Sequence, residues 1–562
     1  MVNFRLLRNS SSNLHLSLFS LQLHFVVIWL LCVALFVDAG KNHEKSHLPF
    51  HKNQLPLRKI HEKSQLPLHK IYEKSQLPIH EKNQLPIHEK SQLSFHKNRT
   101  LNKNALNEFT SSFWKFHRED AFREAPLSLS LNLLPSNTKQ NFSSSKLCDP
   151  NVKQYSGYIQ TSDGSNMFFW FFESRNNPTS SPLTLFLNGG PGCSSMIGLF
   201  QEIGPCTSLP NGTNTTINPY SWNNVSNLLF VDQPNGAGFS YGSNYTTSSQ
   251  QAASNIYEFL KSWVSYFPEY AGLPFHVFGE SYAGHYTTMI LSNTNDVSLL
   301  NLQTSLLSLN IGSSGSLMNL KTIGIGDGWI DPMIQYASLI DYSQQNSLHS
   351  SDVLANMSTA YPTCKSLLST CYNTSTNKDC SSADDYCYDH VFTPFASNLN
   401  CNIDDIRASW DSSPPEDYIN YLSRPDVMSA IGAKIQYTEC SDDAYMAFTE
   451  TADLQVARTT MNQIIQILNY GIPTLLYFGD SDANCNWIGG LNISKSLNWK
   501  YKTNFNSATL RNFIVNNKPV GQVQSSNCLT FLKMNQAGHE VPFYQPQNSL
   551  QMFTRWINNR PM

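Results

Sequence analysis

Gly279-Glu280-Ser281-Tyr282-Ala283-Gly284 decides the reading of this chain. The stretch follows an apolar run, Phe275-His276-Val277-Phe278, and leads into Tyr286-Thr287-Thr288-Met289-Ile290-Leu291, a segment able to start a helix. A serine on a sharp strand-to-helix turn sits in a strained backbone, with its hydroxyl pushed clear of the sheet. The residues two before and two after it must be small, because a side chain there would meet the turn. Gly279 and Ala283 satisfy that demand, in the looser form with alanine in the second place. Such a turn offers Ser281 as a nucleophile.

A serine hydroxyl attacks only when a base takes its proton, and the base needs a group to orient it. In α/β-hydrolases the three follow one another along the chain as serine, acid and histidine. Downstream of Ser281, Thr474-Leu475-Leu476-Tyr477-Phe478 reads as a buried strand running into Gly479-Asp480-Ser481-Asp482-Ala483-Asn484-Cys485-Asn486-Trp487. Catalytic acids sit at strand C-terminal ends, so Asp480 and Asp482 both qualify. Later, Gln536-Ala537-Gly538-His539-Glu540-Val541-Pro542 places His539 in a loop after another apolar segment. Upstream, the strand Leu183-Thr184-Leu185-Phe186-Leu187 is followed by Asn188-Gly189-Gly190-Pro191-Gly192-Cys193-Ser194-Ser195. A glycine-rich turn there can bring backbone N–H groups close to a developing oxyanion.

Four motifs taken together, N-G-G-P-G-C-S-S, G-E-S-Y-A-G-H-Y, G-D-x-D-x-x-C-N-W and A-G-H-x-V-P, resemble the serine carboxypeptidase family over roughly residues 146 to 562, and within it the stretches Met167–Arg175 and Ser195–Phe200 look most like its fungal secreted or vacuolar members. The resemblance implies Ser281 as nucleophile, His539 as base and, of the two aspartates, Asp482 as the acid. It implies Gly190 and Tyr282 as oxyanion N–H donors. Asn188 and Glu280 match the positions that hold the substrate's C-terminal carboxylate, and Cys485 matches a free thiol lining the substrate pocket. Substrates would be peptide or protein C-termini, with no cofactor and no metal. An acyltransferase of the same fold and a non-catalytic protective or binding protein are the competing readings. Glu280 beside the nucleophile, where acyltransferases often carry aspartate, favours the peptidase. The intact Ser281, Asp482 and His539 argue against the non-catalytic protein.

Glu280 sets a pH condition. An ionised glutamate would repel a substrate carboxylate strongly in a partly dry pocket. Burial and the neighbouring anion both favour the protonated form, which can donate a hydrogen bond. Carboxylate binding is therefore expected to be best at acidic pH. Against the family pattern, Phe186 stands for the usual tryptophan and lacks an indole donor. Asp327 stands for asparagine and Tyr544 for aspartate.

Composition agrees with a large globular enzyme: 562 residues, 40% hydrophobic, with a net charge of −3 that gives no case for nucleic acid. The apolar run Phe25–Val37 after Arg5 and Arg8 reads as a signal peptide over residues 1–39, too short to span a bilayer comfortably, so no stable membrane span is expected after cleavage. The destination is the secretory pathway, either outside the cell or in a vacuole or lysosome. Residues 40–145 form a low-complexity stretch and possible propeptide, with a His-Glu-Lys-Ser-Gln-Leu-Pro-like repeat over 41–100 that holds eight of the 16 histidines. The domain proper spans 146–562.

Secretion predicts disulfides and glycans. Of 12 cysteines, Cys32 lies in the signal run. With Cys485 free, the other ten allow five bridges, and the resemblance pairs Cys193 with Cys440. Cys364 to Cys401 would staple a helical, cysteine-rich lid at about 336–440. Nine sequons follow the signal, at Asn98, Asn141, Asn211, Asn214, Asn224, Asn244, Asn356, Asn373 and Asn492. Strands alternating with helices give the expected fold class: an α/β-hydrolase with a mostly parallel central sheet, helices on both faces and the lid insertion.

Overall fold

The computed structural model describes residues 142–292, 318–451, 453 and 458–562. The signal run, the repeat, Cys32, Asn98 and Asn141 lie outside them. Twelve strands occur among the described residues: β1 (Gln154–Gln160), β2 (Asn166–Phe172), β3 (Leu183–Leu187), β4 (Cys206–Ser208), β5 (Thr215–Ile217), β6 (Asn227–Val231), β7 (Pro274–Glu280), β8 (Asn319–Gly326), β9 (Thr474–Gly479), β10 (Arg511–Val515), β11 (Lys518–Ser526) and β12 (Leu529–Met534). Ten of them form one sheet in the order β1-β2-β6-β3-β7-β8-β9-β12-β11-β10. The six inner strands from β6 to β12 run parallel. An antiparallel pair closes each side.

Parallel strands are covered on both faces, so they read as continuous apolar runs rather than alternating ones. All five residues of β3 and all six of β9 are buried. The pleat still sorts them by period two. Leu183, Leu185, Leu187, Leu476 and Phe478 join one core with Ile256, Phe259, Leu260 and Trp263 of α1 (Ser249–Tyr266) and Tyr286 and Ile290 of α2 (Ala283–Ser292). Phe186, Leu475 and Tyr477 face the other core, against Met552, Phe553 and Trp556 of the helix Pro546–Ile557. Helices therefore cover both faces, as the α/β-hydrolase class requires.

Between β8 and β9 the chain inserts a third core. Helices α3 (Pro332–Asn346), α4 (Ser351–Thr374) and α5 (Asn377–Cys387) carry it, and Ala483 and Cys485 from the loop after β9 pack into it. Two bridges hold α4 to the α5 segment, Cys364–Cys387 and Cys371–Cys380. Two more are Cys148–Cys206 and Cys193–Cys440, the pairing the resemblance implied.

The expected five bridges thus reduce to four, with Cys401, Cys485 and Cys528 as free thiols. The topology explains why Cys401 and Cys528 stay apart. Cys528 precedes β12 at its amino end, where its carbonyl accepts from Thr474 N at 2.7 Å. The segment after Cys401 lies at the carboxyl end, where Ile403 O accepts from Ala483 N at 3.0 Å. Six strand residues separate the two ends, about 20 Å at the usual rise, against the roughly 7 Å limit between Cα atoms that a disulfide tolerates. Among the sequon residues, Asn211, Asn214, Asn244, Asn356, Asn373 and Asn492 are exposed. Asn224 is half-buried: its Oδ1 accepts from Arg175 Nη1 at 3.1 Å and its Nδ2 donates to Pro219 O at 2.9 Å.

Candidate active site

Parallel strands end on one edge, and the loops that follow them meet there. Ser281 follows β7, Asp327 follows β8, Asp482 follows β9 and His539 follows β12. Ser281 has φ +59°, the left-handed region that costs a side-chain-bearing residue energy. The turn is held by Ser281 N donating to Gly326 O at 3.0 Å and by Trp329 N donating to Ser281 O at 3.0 Å. Glycine at 279 follows from close approach: a Cβ there would lie 2.2 Å from Thr287 Oγ1 and 2.8 Å from Ala283 O. Ser281 is half-buried.

His539 Nδ1 bonds Asp482 Oδ2 at 2.8 Å. The Asp482 carboxylate is fully buried and also accepts from Asn484 N at 2.8 Å and Cys485 N at 3.2 Å. A buried carboxyl held by those donors fixes the imidazole's orientation. Burial opposes the imidazolium of His539, but Asp482, Asp404 and Asp327 together push its pKa well above the ordinary value. Asp404 comes from the insertion, and its carbonyl accepts from His539 N at 2.8 Å. The two aspartates left open by the strand argument now separate. Asp480 Oδ1 instead accepts from Ser481 Oγ at 2.8 Å and Gln536 N at 2.9 Å, turned to its own loop.

The glycine-rich turn packs directly on the serine turn: a Cβ on Gly189 would stand 2.5 Å from Tyr282 N and 2.8 Å from Glu280 O. Gly190 has φ +111°, open to glycine and strained for other residues. The turn is also anchored from the far side. Cys193 is bridged to Cys440, Ser194 N donates to Glu439 O at 2.7 Å, and Ser441 N donates to Gly192 O at 3.0 Å. The Tyr282 hydroxyl is fixed by Ser249 Oγ at 3.0 Å and by the carbonyl of Asp453.

Asn188 touches two carboxyl groups at once. Its Nδ2 donates to Glu280 Oε1 at 3.1 Å and to Glu202 Oε1 at 3.3 Å, while its Oδ1 accepts from Gly198 N at 2.9 Å. Burial first, then the facing Glu202 carboxyl, pushes the Glu280 pKa well above the usual carboxylate range. Burial likewise raises Glu202. Glu202 is the residue that the sequence reading missed. Its signal is an acid in the otherwise apolar run Met196–Phe200 and beyond, a position that demands a partner once buried. Phe186, in the usual tryptophan position, packs edge-on to Trp222 and fills the space over Gly198, where a Cβ would stand 2.3 Å from Phe186 Cε1.

Beside His539 a small cleft is lined by Asn402, Asp404, Pro414, Glu540 and Tyr544. Tyr544, in place of the usual aspartate, carries Arg407 over its ring at 5.1 Å. Cys485 is buried, and burial raises its thiol pKa well above normal. Its sulfur lies within 4.8 Å of ligand atoms of Asp482 and His539, the one such trio among the described residues. The Asp482 carboxylate and the His539 Nδ1 already bond each other.

The model of the family described as serine carboxypeptidase matches residues 145–559. Carboxypeptidase S1 of Penicillium janthinellum is 38% identical over 426 residues, covering 74% of this chain and 98% of that protein. The vacuolar serine-type carboxypeptidase ATG42 of Saccharomyces cerevisiae is 35% identical over 433 residues, covering 74% and 81%. The crystal structure of Kex1(delta)p, a prohormone-processing carboxypeptidase from S. cerevisiae, superimposes with a TM-score of 0.63 at 24% identity, covering 75% of this chain and 95% of that one, which establishes the shared fold.

Proposed function

The chain belongs to the serine carboxypeptidase family and is a serine-type carboxypeptidase, and on that premise we propose that Ser281, His539 and Asp482 remove C-terminal residues from peptides through an acyl-enzyme. The observation that carries the reading is the buried Asn188–Glu280–Glu202 group on the turn beside Ser281. Ser281 Oγ attacks the last peptide carbonyl while His539 Nε2 takes its proton. The carbonyl oxygen becomes an anion, stabilised by the N–H groups of Gly190 and Tyr282. His539 then returns the proton to the departing amine, and the terminal amino acid leaves. Water, deprotonated by the same imidazole, frees the acyl group and restores the hydroxyl.

The carboxylate of the departing residue is recognised by Asn188 and by Glu280 in its protonated form. Glu202, whose pKa burial also raises, carries a proton of its own at acidic pH, so the pair is neutral there. The Cys485 thiol lines the same pocket. The helices inserted between β8 and β9 act as a lid whose loop at Asp404 closes on His539. Four disulfides and the vacuolar relative support passage through the secretory pathway, to a vacuole or the outside. The exposed sequons, from Asn211 to Asn492, are the glycan candidates. The test compares an N-blocked dipeptide with its C-terminal amide at acidic pH. The free acid is expected to be cleaved at least tenfold more efficiently. Equal kcat/KM for the two would remove the carboxylate-binding role.

A further inference from the structure

Asp327 is a buried acid that the reaction above does not use. It follows β8 with φ +41°, a conformation open to aspartate and asparagine and poor for most residues. Its N–H donates to Tyr477 O at 2.8 Å and its Oδ1 accepts from Gly479 N at 2.8 Å, so one residue staples the end of β8 to the end of β9. The loop carrying Asp482 starts there. The side chain has no exposed surface, and Oδ2 has no hydrogen-bond partner among the described residues. Of the surrounding charges, Asp482 acts on it most strongly, followed by His539. Glu280, Cys485 and Tyr477 are the other titratable groups that face it.

Two ionised carboxylates so close in a dry pocket repel, and an isolated acceptor oxygen that is never hydrated is costly. One proton removes both problems. Placed on Oδ2, it turns the unpartnered acceptor into a donor toward the Asp482 carboxyl. Burial first and Asp482 second push the Asp327 pKa well above the carboxylate range, in keeping with that state.

Resting on the reading of Asp482 and His539 as the acid and base of the triad, we infer that Asp327 is a positioning residue that holds a proton against the Asp482 carboxylate, and that loss of this proton shapes the alkaline limb of kcat. While Asp327 is neutral, only Asp482 and Asp404 favour the imidazolium of His539, so its proton is held less tightly and the imidazole is freer to act as a base. When Asp327 ionises, a further anion faces the imidazole, beside Asp482 and Asp404. His539 is then held as imidazolium, and the Asp482 carboxylate is pushed from its place. Asparagine presents a permanent donor at this position and cannot ionise.

The test is the pH profile of kcat, separately from KM, for wild type, D327A and D327N. D327A is expected to lose about tenfold in kcat at the acidic optimum, the value of one hydrogen bond to a charged group. D327N is expected to recover most of that loss and to move the alkaline limb of kcat upward by at least half a pH unit. Infrared difference spectra of wild type against D327N should show a protonated carboxylic C=O band at acidic pH in the wild type, a readout that holds even if D327A does not fold. A D327N profile superimposable on wild type, or the absence of that band, overturns the inference. Peptidase activity that survives Ser281→Ala would instead overturn the triad reading on which it rests.

Discussion

In the proposed carboxylate site, binding depends on one proton, the one on Glu280. Its raised pKa means it is neutral at low pH and ionises as pH rises. On the proposed role, substrate carboxylate is bound below that transition and repelled above it, so KM should climb with pH while kcat follows other groups. Glu280→Gln replaces the titrating donor with a permanent one. Its KM should be nearly flat across acid to neutral pH, and steady-state kinetics with an N-blocked dipeptide will show it. A KM that still climbs as in wild type would assign the effect elsewhere. Asn188→Ala removes the donor shared by both carboxyls and should raise KM about tenfold or more, in line with one lost charge-assisted hydrogen bond. Single residues of this kind were partly legible. Glu280 could be read because it neighbours the serine in a recognisable motif. Glu202 could not, because no spacing rule ties it to Asn188, and the link exists only once the turn after β3 folds back on β7.

At the scale of elements, the serine turn is a packing problem. Gly279 lies where a methyl group would sit 2.2 Å from Thr287 Oγ1 and 2.8 Å from a backbone carbonyl. Gly279→Ala must shift α2 or the turn, and overpacking of this kind costs about 1–3 kcal/mol. A lowered Tm together with a fall in kcat is the expected result. A variant as stable and active as wild type would mean the turn has slack. The strands carrying the site were legible because each is a short apolar run ended by a polar motif, as in Leu183–Leu187 before Asn188 and Thr474–Phe478 before Asp480. Disulfide pairing was less legible. A count of ten cysteines suggested five bridges, but Cys401 and Cys528 belong to opposite ends of the same strands. Cysteine number constrains parity, whereas position is a property of the folded sheet.

For the whole molecule, the notable quantity is the set of buried acids. Burial raises Asp232 from 3.8 to about 7, and Glu439 from 4.5 to about 7. Both adjoin the Cys193–Cys440 bridge: Ser194 Oγ donates to Asp232 Oδ1 at 2.5 Å, and the hydroxyl of Tyr418 donates to Glu439. Asp384 of α5 is raised by burial from 3.8 to about 7 as well. Because these folded-state values exceed the unfolded ones, the native state binds more protons than the unfolded chain between them. The stabilisation is complete below about pH 4 and is lost as pH rises through about 7. Thermal unfolding monitored between pH 4 and 7.5 should therefore give a Tm that falls toward neutrality, and a Tm that rises over that range would contradict the assignment.

The most direct measurement is the release of the last amino acid from an N-blocked dipeptide at mildly acidic pH, by wild type and by Ser281→Ala at matched, folded concentrations. The account predicts release by wild type and a loss of at least about 10⁴-fold in kcat for the variant, the scale seen when a catalytic nucleophile is removed. Release by Ser281→Ala within tenfold of wild type would mean that another group attacks the peptide bond.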